Sequence, residues 1–194
     1  MDLISAARRG DSDKVRQLLT QGASVSAADG NGVTALIAAA YGDHIEVAKL
    51  LIAAGADVNV KDHTQQSAYL IPTADGSLEF LQLTLQAGAD VHSTDSYNGT
   101  GLIRAAHHGH VGVITRLLAT RIKVNHVNRL GWTALLEAII LGNGDAKHVE
   151  VVRRLVAAGV DVNRADGSGV TPLAHARDKG YQEMDDLLTA AGAR

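Results

Sequence analysis

Asp29-Gly30-Asn31-Gly32-Val33-Thr34-Ala35-Leu36-Ile37-Ala38-Ala39-Ala40-Tyr41-Gly42-Asp43-His44-Ile45-Glu46-Val47-Ala48-Lys49-Leu50-Leu51-Ile52-Ala53-Ala54-Gly55-Ala56-Asp57-Val58-Asn59 is the stretch that decides the fold. Asp29 to Gly32 is turn chemistry, because Asp and Asn side chains bind nearby backbone groups and Gly accepts positive φ. Thr34 stands where a hydroxyl can accept from the first free amides of a helix. A short apolar helix is expected from Ala35 to Tyr41, stopped at Gly42. A second is expected from His44 to Ala53, with Ile45, Val47, Leu50 and Leu51 forming an apolar stripe. Gly55 supplies its C-terminal cap. Ala56 to Asn59 leads out in extended form towards the next turn at Asp62.

The same phrase recurs. Thr34, Ser67, Thr100 and Thr133 are 33 residues apart, and Thr171 follows after 38. Gly22, Gly55, Gly88, Gly159 and Gly192 mark the ends of the second helices, with Arg121 in the slot of the missing glycine. Self-similarity at this spacing signals a stacked-repeat protein. Helices below about 12 residues are marginal alone in water, so each pair must share its burial with its neighbours. The expected architecture is an all-α solenoid of stacked helix-turn-helix units joined by short hairpin loops.

Gly32-x-Thr34-x-Leu36, Ala39-Ala40, His44-Ile45-Glu46-Val47, Leu50-Leu51 and Gly55-Ala56-Asp57-Val58-Asn59 resemble the ankyrin repeat, and the resemblance covers essentially the whole chain. It implies one domain over 1–194: an N-terminal capping unit 1–27, full repeats 28–60, 61–93, 94–126 and 127–164, and a C-terminal capping repeat 165–194. The capping helices are expected at Leu3–Arg9 and Lys14–Thr20. The chain reads as a complete small ankyrin protein of the stand-alone, bacterial type. Ankyrin repeats usually carry Thr-Pro-Leu-His. Here Ile37, Leu70, Ile103, Leu136 and Ala174 take the place of that His, so apolar packing should replace its polar tie. In repeat 61–93, Gln65 replaces the turn glycine, Tyr69 the core Leu, and Pro72 falls inside the first helix, where it predicts a kink or irregularity near Leu70–Thr73. Five extra residues around Gly142–Lys147 should bulge between two helices.

Composition narrows the chemistry. The chain is 46% hydrophobic but only 3% aromatic, a core of small side chains suited to close helix packing. It has no cysteine, which excludes disulfides, thiolate zinc sites and a cysteine nucleophile. A net charge of -3 with both signs interspersed gives no footprint for nucleic acid. No apolar run reaches the roughly 18 residues of a membrane span, and the N-terminal residues lack the pattern of a signal peptide. A cytoplasmic monomer without cofactor, metal, membrane or nucleic-acid partner is therefore expected.

Candidate catalytic motifs dissolve into the repeat. Gly30-x-Gly32-x-x-Ala35 loosely matches a dinucleotide fingerprint but has no preceding strand. His44-x-Glu46 and His148-x-Glu150 echo a deaminase motif whose zinc site needs cysteines absent here. Asp57, Asp90 and Asp161 recur with the hairpins and read as structural. His107-His108-Gly109-His110 is the densest histidine cluster, yet neighbours on a helix do not face one way. No catalytic residue is expected.

The resemblance implies binding through a concave groove and hairpin tips, so the expected function is a non-enzymatic protein-protein interaction module with an unidentified partner protein. Residues freed from the repeat pattern mark the candidate surface: Tyr41, Tyr97, Arg104, His107, His108, Arg129, Leu130, Trp132, Glu137, Ile140 and Leu141. Arg104 and Glu137, at equivalent positions in adjacent repeats, suggest a ladder pair across the groove, worth about 0–1 kcal/mol if exposed. Trp132, the only Trp, is read as an exposed partner contact, against packing on the neighbouring hairpin as the alternative. Other readings are a small-molecule or metal binder at the His107/His108 groove, and a secreted host-directed effector.

Overall fold

Twelve helices and no strand occur among the described residues, 2–194, of the computed structural model. Isolated antiparallel bridges join Ala28 to Thr34 and Lys61 to Ser67. The chain forms two compact units, Met1–Asp95 and Ser96–Arg194. The first holds α1 (Leu3–Arg8), α2 (Ser12–Thr20), α3 (Ala35–Tyr41), α4 (Ile45–Ala53), α5 (Leu70–Asp75) and α6 (Leu78–Gln86). The second holds α7 (Gly101–His108), α8 (Val111–Leu118), α9 (Ala134–Ile140), α10 (Ala146–Ala157), α11 (Pro172–Asp178) and α12 (Gln182–Ala190).

Within each unit the helices stack in two rows. First helices pack on first helices, α1 on α3 on α5 and α7 on α9 on α11. Second helices do the same, α2 on α4 on α6 and α8 on α10 on α12. The first-helix row is lined with small and branched side chains. Ala35 to Ala40 are all buried in α3, and Leu135, Leu136, Ala138 and Ile139 are fully buried in α9. Ile37, Leu70, Ile103 and Leu136 are buried as the apolar substitutes expected for the missing histidine, whereas Ala174, in the last unit, is exposed.

Helix starts follow the hydroxyl rule. Thr34, Thr133 and Thr171 accept from the amides of Ile37, Leu136 and Ala174 at 3.2–3.3 Å. Thr100 departs from the rule: its backbone is placed alike, but its side chain makes no cap bond. Second helices end as expected, with Gly55 at φ 90°. The end of α3 is different. Gly42 is not left-handed (φ -98°), and Asp43 takes that conformation instead at φ 52°. Gly42 is needed for space, since a Cβ there would lie 2.3 Å from His44 Nε2. Arg121, lacking glycine's freedom, ends α8 by another route: the Thr120 hydroxyl donates to the Leu117 carbonyl and accepts from the Ile122 amide.

The irregularity expected at Pro72 takes the form of a late start rather than a kink. Ala68 and Tyr69 form a turn, α5 begins only at Leu70, and Pro72 sits in its first turn, where a missing N–H costs nothing. Tyr69 is fully buried with its hydroxyl 3.4 Å from the Val91 carbonyl, and burial pushes that hydroxyl well above the ordinary phenol range. The five-residue insertion is partly absorbed into helix. Asp145 caps α10 three residues before His148, the equivalent of the other second-helix caps, so only 141–145 remain as loop.

Gln65 occupies the hairpin slot held elsewhere by Gly32, Gly131 and Gly169, and its φ is 66°. A non-glycine residue there carries a steric penalty of about 1 kcal/mol. Gln65→Gly is expected to raise stability by about 0.5–1 kcal/mol, or about 2 °C in melting temperature. A thermal melt showing no gain or a loss would contradict this account of the hairpin.

Candidate functional site

Four hairpin tips are each built around one side-chain carbonyl or carboxylate oxygen. Asp29 Oδ1 accepts from the amides of Asn31 and Val33 at 2.9 and 3.0 Å. Asp62 does so from Thr64 and Gln66, Asn128 from Leu130 and Trp132, and Asp166 from Ser168 and Val170. One Oδ1 thus satisfies two turn amides and fixes the reversal that delivers the chain to the next first helix. The second atom of the same group reaches the first-helix row. Asp62 Oδ2 accepts from the Tyr41 hydroxyl at 2.9 Å, Asp166 Oδ2 lies 2.8 Å from His175 Nε2, and Asn128 Nδ2 donates to Glu137 Oε1 at 2.8 Å.

In the second unit these tips are pinned to one another. The Arg129 amide donates to the Tyr97 carbonyl (2.9 Å), and the Asn98 side chain donates to the Val127 carbonyl (3.1 Å). His126 Nε2 lies 2.8 Å from the Asn98 carbonyl. Gly131 closes against the following tip, where an added Cβ would meet the Gly167 backbone nitrogen at 2.9 Å. The result is a rim on which Tyr97 is 63% and Leu130 50% exposed, with Arg129 exposed between them in sequence. Trp132 is half-buried, so it is neither the open contact expected nor fully packed.

The first-helix row of the same unit contributes the remainder. His107 and His108 are exposed and stacked with ring centroids 4.4 Å apart, and Leu141 is 44% exposed. Arg104 and Ile140 are half-buried. Glu137 is only 5% exposed, held by Asn128 and 3.6 Å from His107 Nδ1, so it is a buried carboxylate rather than an exposed one. Burial, aided by charge on nearby His148, lowers the His107 pKa below the usual imidazole value and favours the neutral ring. Tyr41, 53% exposed, belongs to the first unit.

The two His-x-Glu histidines tie helix rows together. His44 Nε2 lies 3.1 Å from the Arg8 carbonyl, and His148 Nε2 lies 3.0 Å from the His107 carbonyl. Tyr181 repeats the tie, its hydroxyl donating to the Gly142 carbonyl at 3.0 Å. The sequence reading missed a further periodic element: Asn59, Asn125 and Asn163 each accept, through Oδ1, a backbone amide that follows the next second helix, that of Asp90, Asp161 and Arg194 respectively. Their recurrence beside the discarded aspartates was the available signal. Among the described residues no three His, Asp or Glu side chains come together as a metal site would require. Two depressions of this unit are lined by Ile122–His126 and by residues around Tyr181, and neither includes His107 or His108.

Asn128 and Glu137 form a matched exception. Where the other described tips use Asp, a carboxylate would face Glu137, and Asn supplies a donor instead. Asn128→Asp is expected to cost about 1–3 kcal/mol through an unsatisfied buried carboxylate. Adding Glu137→His, which recreates the Asp166–His175 pairing, should recover most of that loss. A double-mutant cycle in chemical denaturant measures the coupling, and additive losses would refute it.

The tip carboxylates also set the response to acid. The amides of Asn31 and Val33 lower the Asp29 pKa, and those of Val170 and Ser168, with His175, lower that of Asp166. A depressed folded-state pKa contributes stability above the unfolded value of about 3.9, and this is lost as pH falls through the folded value. Stability should therefore decline below about pH 4. Asp29→Asn keeps the acceptor, as Asn128 does, and should flatten that decline in denaturant titrations between pH 5 and pH 3. An unchanged acid limb would refute the assignment.

Comparison with known proteins agrees with this geometry. A family model described as ankyrin repeats (3 copies) matches residues 3–62 and 65–166. The chain is 39% identical over 193 residues to the ankyrin repeat protein YahD of Escherichia coli (strain K12), covering 99% of this chain and 96% of that one. Its structure is similar to the crystal structure of an ankyrin repeat domain from Acinetobacter baumannii AYE, with a TM-score of 0.96, 49% identity, and coverage of 99% and 98% of the two chains. The human ASB11 ankyrin repeat domain is similar at a TM-score of 0.85 and 27% identity, over 100% of this chain and 85% of that one.

Proposed function

Because the chain belongs to the ankyrin repeat family, whose domains are generic protein-interaction modules, we propose that it is a non-enzymatic binding protein whose contact surface is the rim and first-helix row of its second unit. One observation carries this reading. The large hydrophobic side chains exposed in that unit among the described residues are Tyr97, Leu130 and Leu141, and all three belong to this surface. Exposed apolar groups gathered in one region mark interaction sites, and Tyr and Arg are the side chains that most often dominate binding energy. The pinned tips add preorganisation, so little ordering entropy is lost on binding.

The small-molecule and metal reading has no comparable support, since among the described residues the groups around the two histidines do not come together as a metal would require, and the histidines line neither depression described above.

The test is quantitative affinity capture from the source organism's lysate, comparing the wild type with Tyr97→Ala/Leu130→Ala and with a first-unit control, Leu78→Ala. Proteins specific to the wild type and the control but lost from the double variant are expected. Identical captured sets from all three would refute the placement of the surface.

A further inference from the structure

The charge of this chain is divided between its units. The first carries six Lys and Arg against 12 Asp and Glu, net -6, and the second 12 against nine, net +3. The modest total hides a positive unit, and the rim and first-helix row belong to it.

On that surface two carboxylates are already engaged. Asp166 Oδ1 holds two turn amides and its Oδ2 meets His175. Glu137 is buried, bonded to Asn128 and close to His107. Asp178 is exposed at the far end of α11 from the tip at Asp166. Arg129 is in the opposite condition. Its side chain is exposed, and its guanidinium makes no ion pair among the described residues. Its backbone is fixed by the bond to Tyr97, so the cation stands on a rigid support on the same rim as exposed Tyr97 and Leu130. α9, seven residues long, carries the surface about 10 Å from the rim to Leu141.

A surface with exposed cation, consumed carboxylates and apolar anchors is complementary to the reverse arrangement. Building on the interaction surface proposed above, we infer that its occupant is an acidic segment of a partner protein carrying at least one large apolar side chain. Asp or Glu of that segment pairs with Arg129, and the apolar side chain lies against Tyr97 and Leu130. Charge complementarity of this kind sets specificity and association rate more than raw affinity. A polyphosphate chain would need a run of cations along its track, and the rim offers a single unpaired arginine among apolar groups.

Selection of a displayed library of random 12-residue peptides on the full chain tests the inference. Enriched peptides should be rich in Asp and Glu with an apolar anchor. As synthetic peptides they should bind about tenfold more weakly to Arg129→Glu and at raised salt. Arg129→Lys should retain most of the binding, and Arg116→Glu, on the second-helix row, should leave it unchanged. Neutral or basic peptides that still depend on Tyr97 and Leu130 would overturn the acidic assignment while leaving the surface in place. Binding indifferent to Tyr97→Ala and Leu130→Ala would overturn both. No enrichment of acidic sequences over the unselected library would refute the inference, as would displacement of the peptide by a stoichiometric single-stranded oligonucleotide.

Discussion

The helices of this chain are six to twelve residues long, a range in which an isolated helix barely forms in water. Every other feature depends on that constraint. A helix that cannot persist alone must bury its apolar face against the next copy, and the copies must approach closely enough to exclude water. Ala, with no side-chain entropy to lose, fills α3 for that reason. The same demand explains why Gly10 and Gly42 flank His44. A Cβ at either position would come within 2.6 Å of the imidazole that ties the first and second helix pairs together. His148, between Gly109 and Gly142, repeats the arrangement in the second unit.

Stacking alone does not fix where each pair begins. That falls to the hairpin oxygens of Asp29, Asp62, Asn128 and Asp166, each satisfying two amides that would otherwise face water or go unpaired. Because one atom of the group suffices for the turn, the other is free to engage the first-helix row, and it does so differently each time: with an arginine, a tyrosine, a glutamate or a histidine. Scaffold and variable surface are therefore joined at a single residue. A change on the first-helix row is tolerated when the tip residue changes with it, as at Asn128 and Glu137.

The period made the fold legible because it repeats a physical requirement five times, and noise at one copy is corrected by the others. Thr34, Gly55 and the buried residues at 37, 70, 103 and 136 could be placed from sequence for that reason. Legibility failed where the requirement is met by space or by pairing across a distance. Gly42 looks like a left-handed cap, but it is small to admit His44, and Asp43 bends instead. Glu137 looks like a groove charge until its partner nine residues earlier is known. The insertion read as loop because nothing in its composition shows that Asp145 caps an extended α10. Of the surface residues, Tyr97, Leu130 and Leu141 stood out as large apolar groups at positions the repeat leaves open, and they are exposed.

The same logic separates what a repeat protein must keep from what it can use. A side chain that obeys the period has its partners supplied by the stack, so its bonding capacity is spent inside the molecule. Asp166 and His148 are charged or titratable, yet they are consumed this way. Arg129 has no counterpart in the stack that would consume it, and the tip holding it is rigid for reasons unrelated to its side chain. Rigidity supplied by the scaffold and bonding capacity left over by it are the two conditions for recognition at low entropic cost. In the second unit both are met on the rim formed by Tyr97, Arg129 and Leu130, and the engaged carboxylates around it determine which sign of charge that rim can receive.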